Sequence, residues 1–225
     1  MGEAIGQMLP LAVAIAANPV PISVVVLMLV SARALANGLA FTAGWLTGIA
    51  VLGVIALVIA NGADANDEGQ PSTWVNVLKL ALGTVLVVLA VTQWRGRPGE
   101  DDEVAMPSWM GAIESFAPAK AAAVGVALSA VNPKNLLFVI AAAATEAQAG
   151  LSTPEQAVVW AIFTALATLG VAIPVVVYLA LGERAPPLLD RIKLWLIRNK
   201  AAVMSVLCLI IGALLIGASI GGFSS

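Results

Sequence analysis

Four stretches of this chain, residues 4–32, 34–63, 156–182 and 201–225, contain no charged residue. Each exceeds the ~20 residues that a helix rising 1.5 Å per residue needs to cross ~30 Å of hydrocarbon, and each is about twice the length of a barrel strand. Apolar residues make up 60% of the chain and charged residues 11%, against about 45–50% and 25% in soluble domains. The sequence therefore predicts an all-α integral membrane protein.

Hydropathy and turn residues predict six spanning helices, at about 8–32, 37–59, 75–93, 121–144, 155–181 and 200–220. Glu3 precedes the first apolar run and no Lys or Arg comes before Arg33, which is not the basic start of a cleaved signal peptide, so the first helix is expected to stay. Residues 61–71 form an acidic, turn-rich loop, after which Trp74 marks a membrane interface. Between helices three and four lies the longest non-spanning region, where Trp109, Ile113 and Phe116 recur at helical spacing. It reads either as a short surface helix or as a solvated linker. Before helix six, Leu188, Leu189, Ile192, Trp195 and Leu196 fall on one face and Arg191, Lys193 and Arg198 on another, a basic amphipathic lead-in suited to anionic headgroups.

Two of the apolar segments are interrupted. Asn18-Pro19-Val20-Pro21 falls in the first and Asn132-Pro133-Lys134-Asn135 in the fourth. A proline withholds a backbone donor and frees a carbonyl about one turn earlier. In hydrocarbon such groups persist only where protein or a water-lined cavity satisfies them. Lys134 adds roughly 2.5–3.5 kcal/mol to insertion at the centre of a helix. Its ammonium reads as a centre for an anionic substrate group or a proton carrier. The alternative reading is a structural donor to the carbonyls that Pro133 or Pro19 release.

The halves also match each other. Ala14-Ile15-Ala16-Ala17-Asn18-Pro19 aligns with Leu128-Ser129-Ala130-Val131-Asn132-Pro133 at an offset of 114, Phe41-Thr42 with Phe163-Thr164 at 122, and Trp74 and Lys79 with Trp195 and Lys200 at 121. A unit of three crossings repeated once enters the bilayer upside down the second time, so the expected architecture is two inverted three-helix repeats. Residues 1–97 form the first, 98–119 a cytoplasmic linker and 120–225 the second. Asn18, Pro19, Pro21, Asn132, Pro133, Lys134 and Asn135 are then expected to meet near midplane as the substrate site. Ala40, Gly44 and Gly48 form a small-residue ridge for helix packing.

Paired Asn-Pro elements in helices one and four of a three-plus-three protein of this size resemble the lysine-exporter (LysE) superfamily. Within it, Asn132-Pro133-Lys134-Asn135, the glycine-bearing second helix and the acidic middle linker are most similar to the actinobacterial GAP-type branch of peptidoglycolipid- and sulfolipid-addressing proteins. The resemblance implies an efflux carrier of the cytoplasmic membrane that moves an amphiphilic or anionic envelope glycolipid outward. The first copy carries Val20 and Pro21 where the second has Lys134 and Asn135, so only one half brings a charge to the site.

Other functions are weighed against these residues. Export of amino acids or other small solutes uses the same architecture. A non-transporting scaffold of a lipid-export complex would use the helices only to bind partners, and a homodimer stays open as an assembly. The chain has no His and one cysteine, Cys208. It thus lacks the commonest metal ligand and any intrachain disulfide, and it offers no carboxylate pair inside a span for hydrolysis. No phosphate-binding Gly-x-x-x-x-Gly-Lys-Ser/Thr loop is present. Neither a channel, an enzyme, a cofactor nor a nucleic-acid partner is expected; membrane lipids and the substrate are.

Nine of the eleven basic residues fall in loops one, three and five: Arg33, then Arg95, Arg97 and Lys120, then Arg184, Arg191, Lys193, Arg198 and Lys200. Positive-inside counting puts those loops in the cytoplasm and both termini outside. In a Cys208→Ala background, a single cysteine at Asn66 should react with an impermeant thiol reagent in intact cells and one at Gly99 should not. The reverse pattern would invert the topology.

Overall fold

In the computed structural model, residues 1–64, 73–97, 113 and 116–223 are described. Among them the regular structure is helical: α1 (Gly2–Ala16), α2 (Pro19–Leu29), α3 (Ala34–Asp64), α4 (Thr73–Arg95), α5 (Pro118–Ala130), α6 (Pro133–Ala147), α7 (Thr153–Leu181) and α8 (Ala185–Phe223), with a 3-10 turn at Gly182–Arg184. The helices α3, α4, α7 and α8 are each long and apolar enough to cross a membrane. The pairs α1–α2 and α5–α6 pass that test only together, bent by 51° and 62°, which gives four spans, or six if each bent pair is one. The chain is a multi-pass membrane protein. Val58 and Ile59, each 66% exposed, belong to an outer apolar face that suits lipid rather than water.

The first broken pair begins at Gly2, six residues before the predicted start. The last helix differs more. The lead-in and helix six form one helix of 39 residues, about 58 Å long. Pro186 and Pro187 do not interrupt it because they stand in its first turn, where no backbone donor is needed. The amphipathic face is also rotated from the expected one. Ala185, Leu189, Lys193 and Leu196 are buried, whereas Leu188, Ile192 and Trp195 are exposed. Lys193 can join the buried stripe because Asp190, three residues back, meets its ammonium at 2.6 Å.

The linker's surface-helix reading rests largely on residues outside those described, Trp109 among them. Ile113 and Phe116 are buried. The Phe116 carbonyl accepts a hydrogen bond from Asn37 Nδ2 at 2.9 Å, and the Lys120 ammonium lies 4.2 Å from the Phe116 ring centroid. The end of the linker is thereby fastened to the start of α3. The loop after α3 and the side chain of Trp74 also lie outside the described residues.

Three helix pairings organise the bundle: α3 along α5, α1 along α7, and α4 along α8. The last has a repeating contact. Ser219 Oγ donates to the Asn76 carbonyl at 2.7 Å and Ser205 Oγ to the Ala90 carbonyl at 2.7 Å. Between them Gly83 and Gly212 stand so close that a Cβ on either would lie 2.9 or 2.8 Å from the other's carbonyl oxygen. Contacts therefore recur every seven residues on both helices, which run antiparallel with small residues on the seam. The pair α3–α7 is tied by Trp45 Nε1 donating to the Ala167 carbonyl at 3.3 Å. At the other end, Asn61 and Gln156 exchange amide hydrogen bonds at 3.0 and 3.3 Å.

On α3, Gly44 abuts the Ala122 backbone and Gly48 the Ser129 hydroxyl, both on α5. Against Ala122 a side chain would meet main chain, which cannot swing aside. Gly44→Ala should therefore force α3 and α5 apart and destabilise the protein by about 1–3 kcal/mol. Gly217→Ala, where a Cβ meets nothing within 4 Å, should leave the melting temperature in detergent unchanged or raise it. Equal melting temperatures for the two variants would contradict this packing.

Candidate functional site

The two helix breaks have nearly the same geometry. Asn18 takes φ −67° and ψ 116° and Asn132 takes φ −67° and ψ 118°. Each is the N-cap of the helix that follows: Asn18 Oδ1 accepts from the Val20 amide at 3.2 Å, and Asn132 Oδ1 from the Lys134 amide at 3.0 Å. Pro19 and Pro133 occupy the first helical position, and Pro21 the third. The first-turn amides of a helix have no partner within it, so these prolines interrupt the chain without orphaning a helical bond. Asn-Pro is thus a stop and a restart: one helix ends, an amide side chain caps the next, and the axis turns.

The carbonyls released before the breaks are handled differently in the two copies. In the second, Asn135 is fully buried and its Nδ2 donates to the carbonyls of Leu128 and Ser129, at 3.2 Å each. In the first, where Pro21 replaces that amide, backbone closes the end of α1. Ala17 N donates to the Val13 carbonyl at 2.8 Å, as Val131 N does to Ala127 at 2.9 Å in the second copy, and in addition Asn18 N donates to the Ile15 carbonyl at 3.3 Å. Each break is also backed by a glycine of an unbroken helix, Gly48 of α3 at Ser129 and Gly170 of α7 at the Ala16 carbonyl.

Lys134 does not take the structural role. Its ammonium makes no hydrogen bond or ion pair among the described residues, and Asn135 satisfies the carbonyls instead. Lys134 is half-buried, within electrostatic reach of Cys208 and Lys200 on α8. Asn18, Pro19 and Pro21 are buried, Asn132 is half-buried, and Pro133 is exposed. No described hydrogen bond joins one Asn-Pro element to the other; each asparagine serves its own helix.

Two features escape a reading by segments. Glu146 was expected beyond the end of helix four, yet α6 continues to Ala147 and leaves Glu146 fully buried, with neither carboxyl oxygen hydrogen-bonded among the described residues. Lys79, 7% exposed, donates to Gln148 Oε1 at 2.7 Å. These partners are 69 positions apart, so only the fold brings them together. The one available signal for Lys79 was its alignment with Lys200. Among the described residues no group of three His, Cys, Asp or Glu side chains could hold a metal ion.

Long apolar helices, two of them interrupted by capped Asn-Pro breaks, define a polytopic membrane protein with broken helices. Over residues 8–221 the sequence matches the family described as Sap, sulfolipid-1-addressing protein, and the chain belongs to that family. No curated protein and no solved structure matches it. The match supports the sulfolipid-addressing branch of the resemblance, and the wider lysine-exporter superfamily is not part of it.

If Asn135 closes the second break, Asn135→Leu should strand two buried carbonyls and cost about 1–3 kcal/mol. Asn132→Ala should cost about 1 kcal/mol, the worth of an N-cap. Thermal unfolding in detergent should place Asn135→Leu clearly below Asn132→Ala. The opposite order would move the structural burden from Asn135 to the cap.

Proposed function

We propose that this chain is a secondary carrier exporting an amphiphilic, anionic envelope lipid by alternating access, with its substrate site between the Asn18-Pro19 and Asn132-Pro133 breaks. The observation that carries this reading is the matched backbone geometry of the two breaks, at corresponding positions of the two halves. Bends of 51° and 62° are less than a right angle. Each bent pair then continues across the bilayer as one span, making six, with both termini on the outer side of the cytoplasmic membrane.

The packing supports inverted repeats joined by residues 98–119. The contact of α3 with α5 has its counterpart in α7 with α1, and that of α3 with α6 in α7 with α2. On a two-fold axis a residue meets its own counterpart. Trp45 bonds Ala167, 122 positions on, the offset that relates Phe41-Thr42 to Phe163-Thr164. Other contacts lack counterparts: α1 packs on α6, while no comparable packing joins α5 to α2. An inverted pair closed at one end and parted at the other has this form, which is what alternating access requires.

The breaks suit an anion. Both α2 and α6 begin there, so the positive ends of two half-helix dipoles lie at the breaks, and Lys134 adds a cation without an acidic partner. The family's description names a sulfolipid, and a sulfate head on an apolar body fits both features. In proteoliposomes, wild type should deliver a fluorescent sulfated glycolipid to the opposite leaflet. Lys134→Gln should slow delivery at least about tenfold, the scale of one charge-assisted hydrogen bond. Insertion should not suffer, since losing the charge makes the helix easier to insert. Partial activity in Lys134→Arg would indicate that charge suffices. Full transport by Lys134→Gln would remove Lys134 from the mechanism.

A further inference from the structure

At the end of the bundle where α1 begins, two adjoining cavities of about 540 and 550 Å³ share Glu3, Gln7, Lys79, Thr145 and Ala218 in their walls. They contain none of the Asn-Pro residues. The second is the polar one, with Asn76 and Gln148 beside Lys79. The first continues along apolar side chains of α1 and α8: Pro10, Leu11, Ile211, Leu214 and Leu215. The pair has a polar head end and an apolar body end, hinged on one buried ammonium.

The chemistry at Lys79 is incomplete. Its side chain is 7% exposed, and an ammonium has three donors. Among the described residues one of these is used, toward the neutral amide oxygen of Gln148. The Thr145 hydroxyl donates to the Ala141 carbonyl at 2.8 Å and makes no hydrogen bond with Lys79 among the described residues. The carboxylate in the recess, Glu3, is exposed and accepts from Gln7 Nε2 at 3.3 Å, and no ion pair joins it to the buried Lys79 among the described residues. No carboxylate bonds the Lys79 ammonium at the polar end among the described residues, and the groove beside it is lined by apolar side chains. A cavity of this size falls in the range of small-ligand sites.

We propose that this recess binds a membrane lipid, its anionic headgroup on Lys79 and one acyl chain along the groove between α1 and α8. It is separate from the Asn-Pro breaks and does not depend on the transport reading, because binding alone decides it.

The test uses the full chain purified in a nonionic detergent, with native mass spectrometry counting retained lysolipid. Palmitoyl lysophosphatidylglycerol should be retained about tenfold better than palmitoyl lysophosphatidylcholine, and Lys79→Gln should erase that preference. Ala218 is exposed at the junction of both cavities, and Ala218→Trp should block the groove and lower retention with Lys79 intact. Glycerol 3-phosphate should fail to displace the lysolipid at equal concentration. An undiminished preference in Lys79→Gln overturns the proposal. If that variant does not fold, wild-type retention by Ala218→Trp overturns it. Displacement by glycerol 3-phosphate at equal concentration would make this a plain anion site and overturn the lipid. Lys134 is unchanged throughout, so failure here leaves the transport reading standing, and failure of Lys134→Gln to impair transport leaves this site standing.

Discussion

Every main-chain amide and carbonyl inside hydrocarbon must find a partner within the protein, and this structure depends on how it meets that demand where two helices are broken. An unsatisfied group costs several kcal/mol in lipid, enough to consume much of a membrane protein's stability. The solution is local. Asparagine ends one helix by capping the next, and proline follows where a missing amide matters least. The break can then persist without water, and a bend of 51° or 62° becomes a fixed element of shape rather than a weak point.

Local closure still leaves the half-helices to be held in place, and small residues do this. Without a hydrophobic force between helices in lipid, association rests on close packing and interhelical hydrogen bonds. Gly48 and Gly170 bring unbroken helices against the two breaks, and Gly83 with Gly212 draws α4 onto α8. The serine bonds at Asn76 and Ala90, seven residues to either side of Gly83, fix the register of that seam. The breaks are therefore set in a frame of straight helices whose spacing is governed by backbone, not by compressible side chains.

How much of this was legible from sequence depends on distance along the chain. The apolar runs gave the helices, because length against bilayer thickness is a one-dimensional property. The Asn-Pro pairs located the breaks, since cap and first-turn proline are neighbours in sequence. Lys193 was misplaced because its burial depends on Asp190 as a partner, while a hydrophobic pattern counts lysine as polar. The merging of the amphipathic lead-in with the last helix was missed because Arg198 and Lys200 end the apolar run, although charged residues continue a helix readily. Asn135 was expected at the substrate site; its Nδ2 goes to two backbone carbonyls that only the path of the broken chain brings within reach, and its Oδ1 has no partner among the described residues. The recess at Lys79 was not legible, because its walls come from four helices spread across the whole chain.

Lys79 and Lys134 fall inside predicted spans, 75–93 and 121–144, and neither meets an acid partner among the described residues. Lys193, also buried, pairs with Asp190 in the long helix before the apolar core of α8. A cation in a span raises the cost of insertion and is ordinarily offset by a partner or carries a function. Among the described residues Lys79 has a single neutral acceptor and Lys134 has none, so neither is offset by an acid there. On the readings proposed for the breaks and for the recess, an anionic lipid would supply that counter-charge, and its tail would cover the apolar surface beside each ammonium. One such ammonium stands at a helix break and the other at the end of the bundle, where the Glu3 carboxylate shares its recess without bonding it among the described residues.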